Sequence, residues 1–137
     1  MAADALLGRR LDGYTLEARI GTGATGHVYR ASHPDQPAAV AVKVLNEGVG
    51  RIRSLRRRFQ REARALGALE HPHVVRTFGF GVVDDVVYIA MELLEGGTLE
   101  ETLQERPLEL EEVFAVMDPV LSGVASAHAQ HIVHRDL

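Results

Sequence analysis

Four consecutive stretches decide the fold: Tyr14-Thr-Leu-Glu-Ala-Arg-Ile20, Gly21-Thr-Gly-Ala-Thr-Gly26, His27-Val-Tyr-Arg-Ala-Ser32 and Ala38-Ala-Val-Ala-Val-Lys-Val-Leu45. The first alternates enough to read as a strand, and the third is β-rich and closed by His33-Pro34. Between them the glycines supply a flexible turn. The fourth is a continuous apolar run broken by one charge, the pattern of a buried strand in which Lys43 points somewhere particular. The order is therefore strand, glycine turn, strand, buried strand.

Beyond this stretch, residues 46–50 break the run, with Gly48 and Gly50 as punctuation. Residues 52–69 carry Leu55, Phe59, Ala63, Leu66 and Leu69 at three- and four-residue steps, an amphipathic helix with arginines on its other face. His71-Pro72 ends it. Residues 74–83 and 86–94 are two further strands, joined as a hairpin at Asp84-Asp85. Gly96-Gly97 forms a joint, and Thr98 with Glu101 makes a capping box that opens a short helix stopping before Pro107. A longer helix runs from about Leu110 to Gln130, and Pro119 is expected to kink or divide it, because an interior proline costs roughly 3 kcal/mol. Five strands and a helix followed by helices alone make an α+β layout.

At 137 residues the chain is one domain at most, and with 46% apolar and 25% charged residues it is globular. The lack of cysteine excludes a disulfide framework, a thiol nucleophile and cysteine-based zinc sites. No apolar run reaches the ~20 residues that cross a bilayer. A formal charge of −4 argues against nucleic acid as a partner. That charge is uneven: residues 1–91 hold thirteen basic and nine acidic side chains, whereas residues 92–137 hold two and ten. Two electrostatically distinct halves thus meet near Met91. Of fifteen basic residues, Lys43 is the only lysine, which hints that a compact ammonium is wanted there.

Gly21-x-Gly23-x-x-Gly26 lets backbone amides approach a polyphosphate without Cβ interference, although a ligand-free hairpin fits the same residues. A dinucleotide fingerprint fails because a strand, not a helix, follows the glycines, and no Gly-Lys-Ser/Thr completes a Walker loop. Lys43 sits among apolar neighbours, where a charge is costly unless paired or at a snorkelling edge. Glu62 lies three and four residues from Phe59 and Leu66, on the inward stripe, so a Lys43–Glu62 ion pair is the economical solution. An exposed edge of the stripe is the alternative. The spacing of His128, His131 and His134 lacks the acid of His-Glu-x-x-His, so packing, turn and loop roles are preferred and no metal ligand is assigned. The arginines at 51, 53, 56, 57, 58, 61 and 64 read as a solvated face, with docking of an acidic peptide or anionic lipid as the alternative. The glutamates from Glu92 to Glu112 likewise read as a solvated surface.

Taken together, Gly21-x-Gly23-x-x-Gly26-x-Val28, Val40-Ala-Val-Lys43, Glu62, His71-Pro72, Met91-Glu92 with Gly96-Gly97, and His134-Arg135-Asp136-Leu137 resemble the ordered signature of the Hanks-type protein kinases, in particular the bacterial serine/threonine kinases. The resemblance implies a kinase small lobe over residues 11–94, a five-stranded antiparallel sheet with one helix, and the start of the large lobe over 95–137. It implies ATP and a protein substrate as ligands, a kinase-domain dimer among the partners, and a cytoplasmic location. The turn Ile20, Gly21, Thr22, Gly23, Ala24, Thr25, Gly26 and His27 would cover the ATP phosphates. Lys43 would hold the α- and β-phosphates while Glu62 fixes Lys43, and Asp136 would accept the substrate hydroxyl proton. Val28 and Ala41 would sandwich adenine, Met91 would be the gatekeeper, and Glu92 and Leu94 would offer hinge backbone groups.

The 137 residues stop within what would be the catalytic loop. The Asn and Asp-Phe-Gly that hold Mg²⁺ in the family are absent, so this polypeptide alone is expected to be catalytically incompetent. A nucleotide-binding or regulatory remnant and a small-molecule phosphotransferase of the same fold are the alternatives. The antibiotic kinases, however, resemble His-Gly-Asp rather than His134-Arg135-Asp136. Two local departures stand out: His131 sits where relatives commonly carry a glycine with positive φ, and Thr77 where they carry an apolar spine residue. Without their usual partners, Val113, Phe114, Val116 and Val120 are expected to form an apolar patch.

Overall fold

The computed structural model describes residues 4–133. Its strands are β1 (Arg10–Leu11), β2 (Tyr14–Thr22), β3 (Gly26–Ser32), β4 (Val40–Leu45), β5 (Thr77–Val83) and β6 (Val86–Glu92). Its helices are α1 (Glu47–Arg51), α2 (Arg53–Ala68), α3 (Leu99–Glu105) and α4 (Leu110–Ala129). All strands join one antiparallel sheet in the order β1-β2-β3-β4-β6-β5. The sheet has one strand more than the five expected. The addition is β1, turned onto β2 by Asp12-Gly13, whose φ angles of 48° and 97° suit a two-residue hairpin. Asp84 and Asp85 turn the β5–β6 hairpin in the same way, with φ of 48° and 66°.

Strand periodicity divides the sheet into two faces. Val40, Val42 and Val44 of β4 point to one side, where they pack with Leu11, Leu16, Tyr29, Tyr88 and Ala90 as the buried core. The N-terminal segment covers this side: Leu6 packs on the core, and the Tyr29 hydroxyl donates to Asp4 Oδ2 at 2.8 Å. The Tyr88 hydroxyl donates to Asp12 Oδ2 at 2.6 Å, tying the first hairpin to β6. Ala41 and Lys43 alternate with the core valines and so belong to the opposite face, along with their register partners Met91 and Ile89.

Two helix expectations need correction. Residues 47–51 are a one-turn helix rather than a break, and the Glu47–Arg51 pair at 3.6 Å spans that turn. Pro119 does not divide α4, which runs unbroken for 20 residues. The fixed φ of proline is itself helical, so Pro119 costs one backbone hydrogen bond without ending the helix. The Thr98–Glu101 capping box is present, with Glu101 N donating to Thr98 Oγ1 at 3.2 Å and Thr98 N to Glu101 Oε2 at 2.9 Å. A second capping box, Glu109 with Glu112, opens α4, and Arg106 forks onto Glu112 at 2.7 and 2.8 Å. These bonds hold the Glu112 carboxyl down to about 2.

Helix α4 ends as the His131 position demands. His131 N donates to His128 O at 2.9 Å and Ile132 N to Ala127 O at 2.9 Å, the paired bonds of a Schellman cap. His131 takes the left-handed conformation of that motif, φ 62°, the positive φ that the family resemblance implied for this position. Helix α4 docks on the loop after α2 through Gly123, where a Cβ would sit 3.1 Å from His73 O. His71 Nε2 and Ser122 Oγ, 3.0 Å apart, add a polar tie. The far side of α4 is apolar and open, with Leu110, Val113, Phe114, Met117 and Leu121 all exposed. Val116 and Val120, expected in the same patch, are half-buried instead.

Candidate functional site

The glycine turn is built by β2 and β3, whose register places Gly21 opposite Val28 and Thr22 opposite His27. Gly23 N donates to Gly26 O at 2.9 Å, closing residues 23–26 into a tight loop, and Thr22 Oγ1 lies 3.1 Å from His27 Nδ1. None of Gly21, Gly23 and Gly26 has a positive φ, so backbone strain does not explain them. Gly26 is explained by packing: a Cβ there would overlap Val44 O. Gly21 and Gly23 are not, because added Cβ atoms would come no closer than 3.7 Å to Val28 and 4.0 Å to Gly26 O. What the two glycines leave is room beside an exposed backbone.

Register then carries the row across the sheet. Val28 pairs with Lys43, Lys43 with Ile89, and Ala41 with Met91. Paired residues share a face, so Val28, Ala41, Lys43 and Met91 lie together on the side away from the core. Ala41 is buried, and Val28, Lys43 and Met91 are half-buried. At the rim, Ile20 and Leu94 are exposed apolar side chains, 50% and 64% accessible. Glu92, where β6 ends, donates its N–H to Arg76 O at 2.8 Å. Leu94 follows outside the sheet.

The expected Lys43–Glu62 ion pair is not formed. Helix α2 turns Ala63 inward, leaving Glu62 about 100° around the helix at the edge of the apolar stripe. The Glu62 side chain is 57% exposed, and its Oε1 accepts from Arg58 Nε at 3.3 Å, one helical turn away. Among the described residues no acidic group lies within ion-pair distance of Lys43. Glu62 nevertheless faces the site side of the sheet. It lines a cavity of about 780 Å³ with Leu66, Thr77, Ile89, Met91 and Val120, and Ile89 is the register partner of Lys43.

Asp136, with His134, Arg135 and Leu137, lies outside the described residues. Sequence reading missed Asn46, which holds the glycine turn from below: its N–H donates to Thr25 O at 2.9 Å and its Nδ2 to Ala24 O at 3.2 Å. Its one available signal in the sequence is its place directly after the lysine strand.

A family model described as a protein kinase domain matches residues 14–137. The chain is 37% identical over 134 residues to the serine/threonine-protein kinase PrkC of Bacillus subtilis, a match covering 96% of this chain and 21% of PrkC. To the serine/threonine-protein kinase PknL of Mycobacterium tuberculosis it is 39% identical over 125 residues, covering 90% of this chain and 31% of PknL. The crystal structure of the Mycobacterium tuberculosis PknI kinase domain matches with a TM-score of 0.85 at 32% identity, covering 100% of this chain and 56% of that one. The 137 residues thus span a fifth to a third of these curated relatives and just over half of a solved kinase domain. With the glycine turn, the lone lysine and the antiparallel sheet in matching order, the chain belongs to the protein kinase domain family, and its relatives are bacterial serine/threonine-protein kinases.

Proposed function

We propose that this chain supplies the nucleotide-binding part of an enzyme that transfers the γ-phosphoryl group of ATP to serine or threonine hydroxyls of protein substrates. One observation carries it: the row Gly21, Val28, Lys43 sets the only lysine beneath a glycine turn, on the face opposite the core. In this reading residues 11–94 are the small lobe and 95–137 open the large one. Residues 20–27 cover the phosphates, Lys43 holds two of them, Val28 and Ala41 flank adenine, and Met91, Glu92 and Leu94 form the hinge side. The space beside Gly21 and Gly23, and a Lys43 with no ion-pair partner among the described residues, fit a polyphosphate tail. Asp136 accepts the proton of the attacking hydroxyl, and Glu62 reaches Lys43 once released from Arg58. The protein acts in the cytoplasm on protein substrates, and pairs of such domains form its dimer.

The residues present do not fit Mg²⁺. The only asparagine is Asn46, no Asp-Phe-Gly occurs, and the described residues bring no three His, Asp or Glu side chains together. Residues 1–137 on their own therefore bind nucleotide without turning it over. A non-catalytic nucleotide-binding module is the second reading, favoured by the Arg58–Glu62 pair.

Titration of the purified chain with ATP tests the proposal. Saturable binding that Lys43→Ala weakens at least tenfold is expected, and equal affinity in the variant would overturn it. ATP affinity that is also indifferent to Glu62→Gln favours the non-catalytic module, because the transferring arrangement needs the Lys43–Glu62 pair.

A further inference from the structure

The tip of the glycine turn is tied down by a residue to which none of the roles above belongs. Asn46 follows β4 directly, three positions beyond Lys43, and its two donors take two consecutive carbonyls, Thr25 O at 2.9 Å and Ala24 O at 3.2 Å. In a planar trans peptide unit the carbonyl and the following N–H point in opposite directions. Turning the carbonyls of Ala24 and Thr25 toward Asn46 therefore turns the N–H groups of Thr25 and Gly26 away from it. The Thr25 N–H donates to no group among the described residues. Successive amides presented side by side in a turn make an anion-binding concavity.

We infer that Asn46 is a positioning residue for the phosphate tail of a bound nucleoside triphosphate: by fixing the Ala24 and Thr25 carbonyls it aims the amides of the turn at the phosphates. This deepens the nucleotide reading and rests on it. Asn46 is continuous with the strand that carries Lys43, so one element sets both the ammonium and the height of the amides. Gly26 makes that possible, since any side chain there would collide with Val44 O and lift the turn from β4.

The test compares ATP, ADP and adenosine binding by the full 137-residue chain, unmodified and carrying Asn46→Ala, Asn46→Asp or Asn46→Gln. Asn46→Ala removes the side-chain donor, Asn46→Asp keeps the shape but places an oxygen there, and Asn46→Gln keeps a donor. One lost hydrogen bond corresponds to roughly a two- to tenfold change. ATP and ADP affinity should fall by that factor in the Ala and Asp variants, with adenosine unaffected and partial recovery in the Gln variant. A parallel loss for adenosine would show a merely structural role and overturn the inference, as would unchanged ATP affinity in the Ala and Asp variants. If the unmodified chain binds neither ATP nor adenosine, the nucleotide reading itself fails and takes this one with it.

Discussion

Arg58 Nε and Glu62 Oε1 lie 3.3 Å apart on one face of α2, and Lys43, the partner that family resemblance assigns to Glu62, has no acid within ion-pair distance among the described residues. Both members of the pair are about half exposed, so the contact is worth only about 0.3–0.5 kcal/mol. Arg58 is thus a weak competitor for Glu62. Arg58→Ala is expected to raise ATP affinity about twofold, and Glu62→Gln should erase that gain in a double-mutant cycle. Additive effects of the two substitutions would show that Glu62 does not move to Lys43.

The three glycines of the turn should separate by substitution. Gly26→Ala forces a Cβ against the Val44 backbone and is expected to cost about 1–3 kcal/mol of stability in denaturant unfolding. Gly23→Ala meets nothing nearer than 4.0 Å, so stability should stay within about 0.5 kcal/mol while ATP affinity falls. The opposite ranking would mean that the glycines serve the hairpin alone.

Alkaline pH should unfold the core from its tyrosines. Burial raises the pKa of all three, and burial with the bond to Asp4 takes Tyr29 up to about 12. A raised folded pKa means that the stability is fully present below the ordinary value of 10.0 and is lost as pH climbs toward 12. Phenolate absorbance should therefore appear together with loss of circular dichroism. Early ionisation of any of the three in the folded protein would contradict the packing.

His131 holds a left-handed φ without being glycine, at roughly 1 kcal/mol of strain. His131→Gly is expected to stabilise the chain by about 0.5–1 kcal/mol, near 2–4 °C in Tm. A drop in Tm would show that the imidazole makes a contact outweighing that strain.

The open apolar stripe of α4 should make the isolated chain associate and bind hydrophobic dyes. Phe114→Glu with Leu121→Glu should restore a monomer in sedimentation. A dye-excluding monomer before mutation would show the stripe to be covered.

Most of the fold was legible because strands and helices announce themselves by period and punctuation. Asp84-Asp85 and the Thr98–Glu101 box are local, and local chemistry settles them, whereas the positive φ of His131 was legible only through the family resemblance. The β1 hairpin escaped although its Asp12-Gly13 turn was in plain view, because two residues are too few to show a period. At the site, Val28, Ala41 and Lys43 were implied by the family resemblance and their shared face came with the strand register, whereas Glu62 depended on how far α2 turns about its axis. Phe59 and Leu66 bracket the inward direction but leave room for Ala63 to take it, and only tertiary packing decides between them. Asn46 was invisible for a different reason, since its partners sit 21 and 22 positions back and meet it only once β3 and β4 have paired.

On strand β4, residues 40, 42 and 44 hold the core together, and 41 and 43 face the side proposed to bind nucleotide. On the proposed nucleotide reading, substitutions at 41 retune ligand preference while the valines at 40, 42 and 44 keep the core intact, so specificity is free to drift without eroding the scaffold. The same parity is brittle to indels: one residue gained or lost between Gln36 and Val40 would interchange the two sets, driving an ammonium into the hydrocarbon side and a valine into the ligand's place.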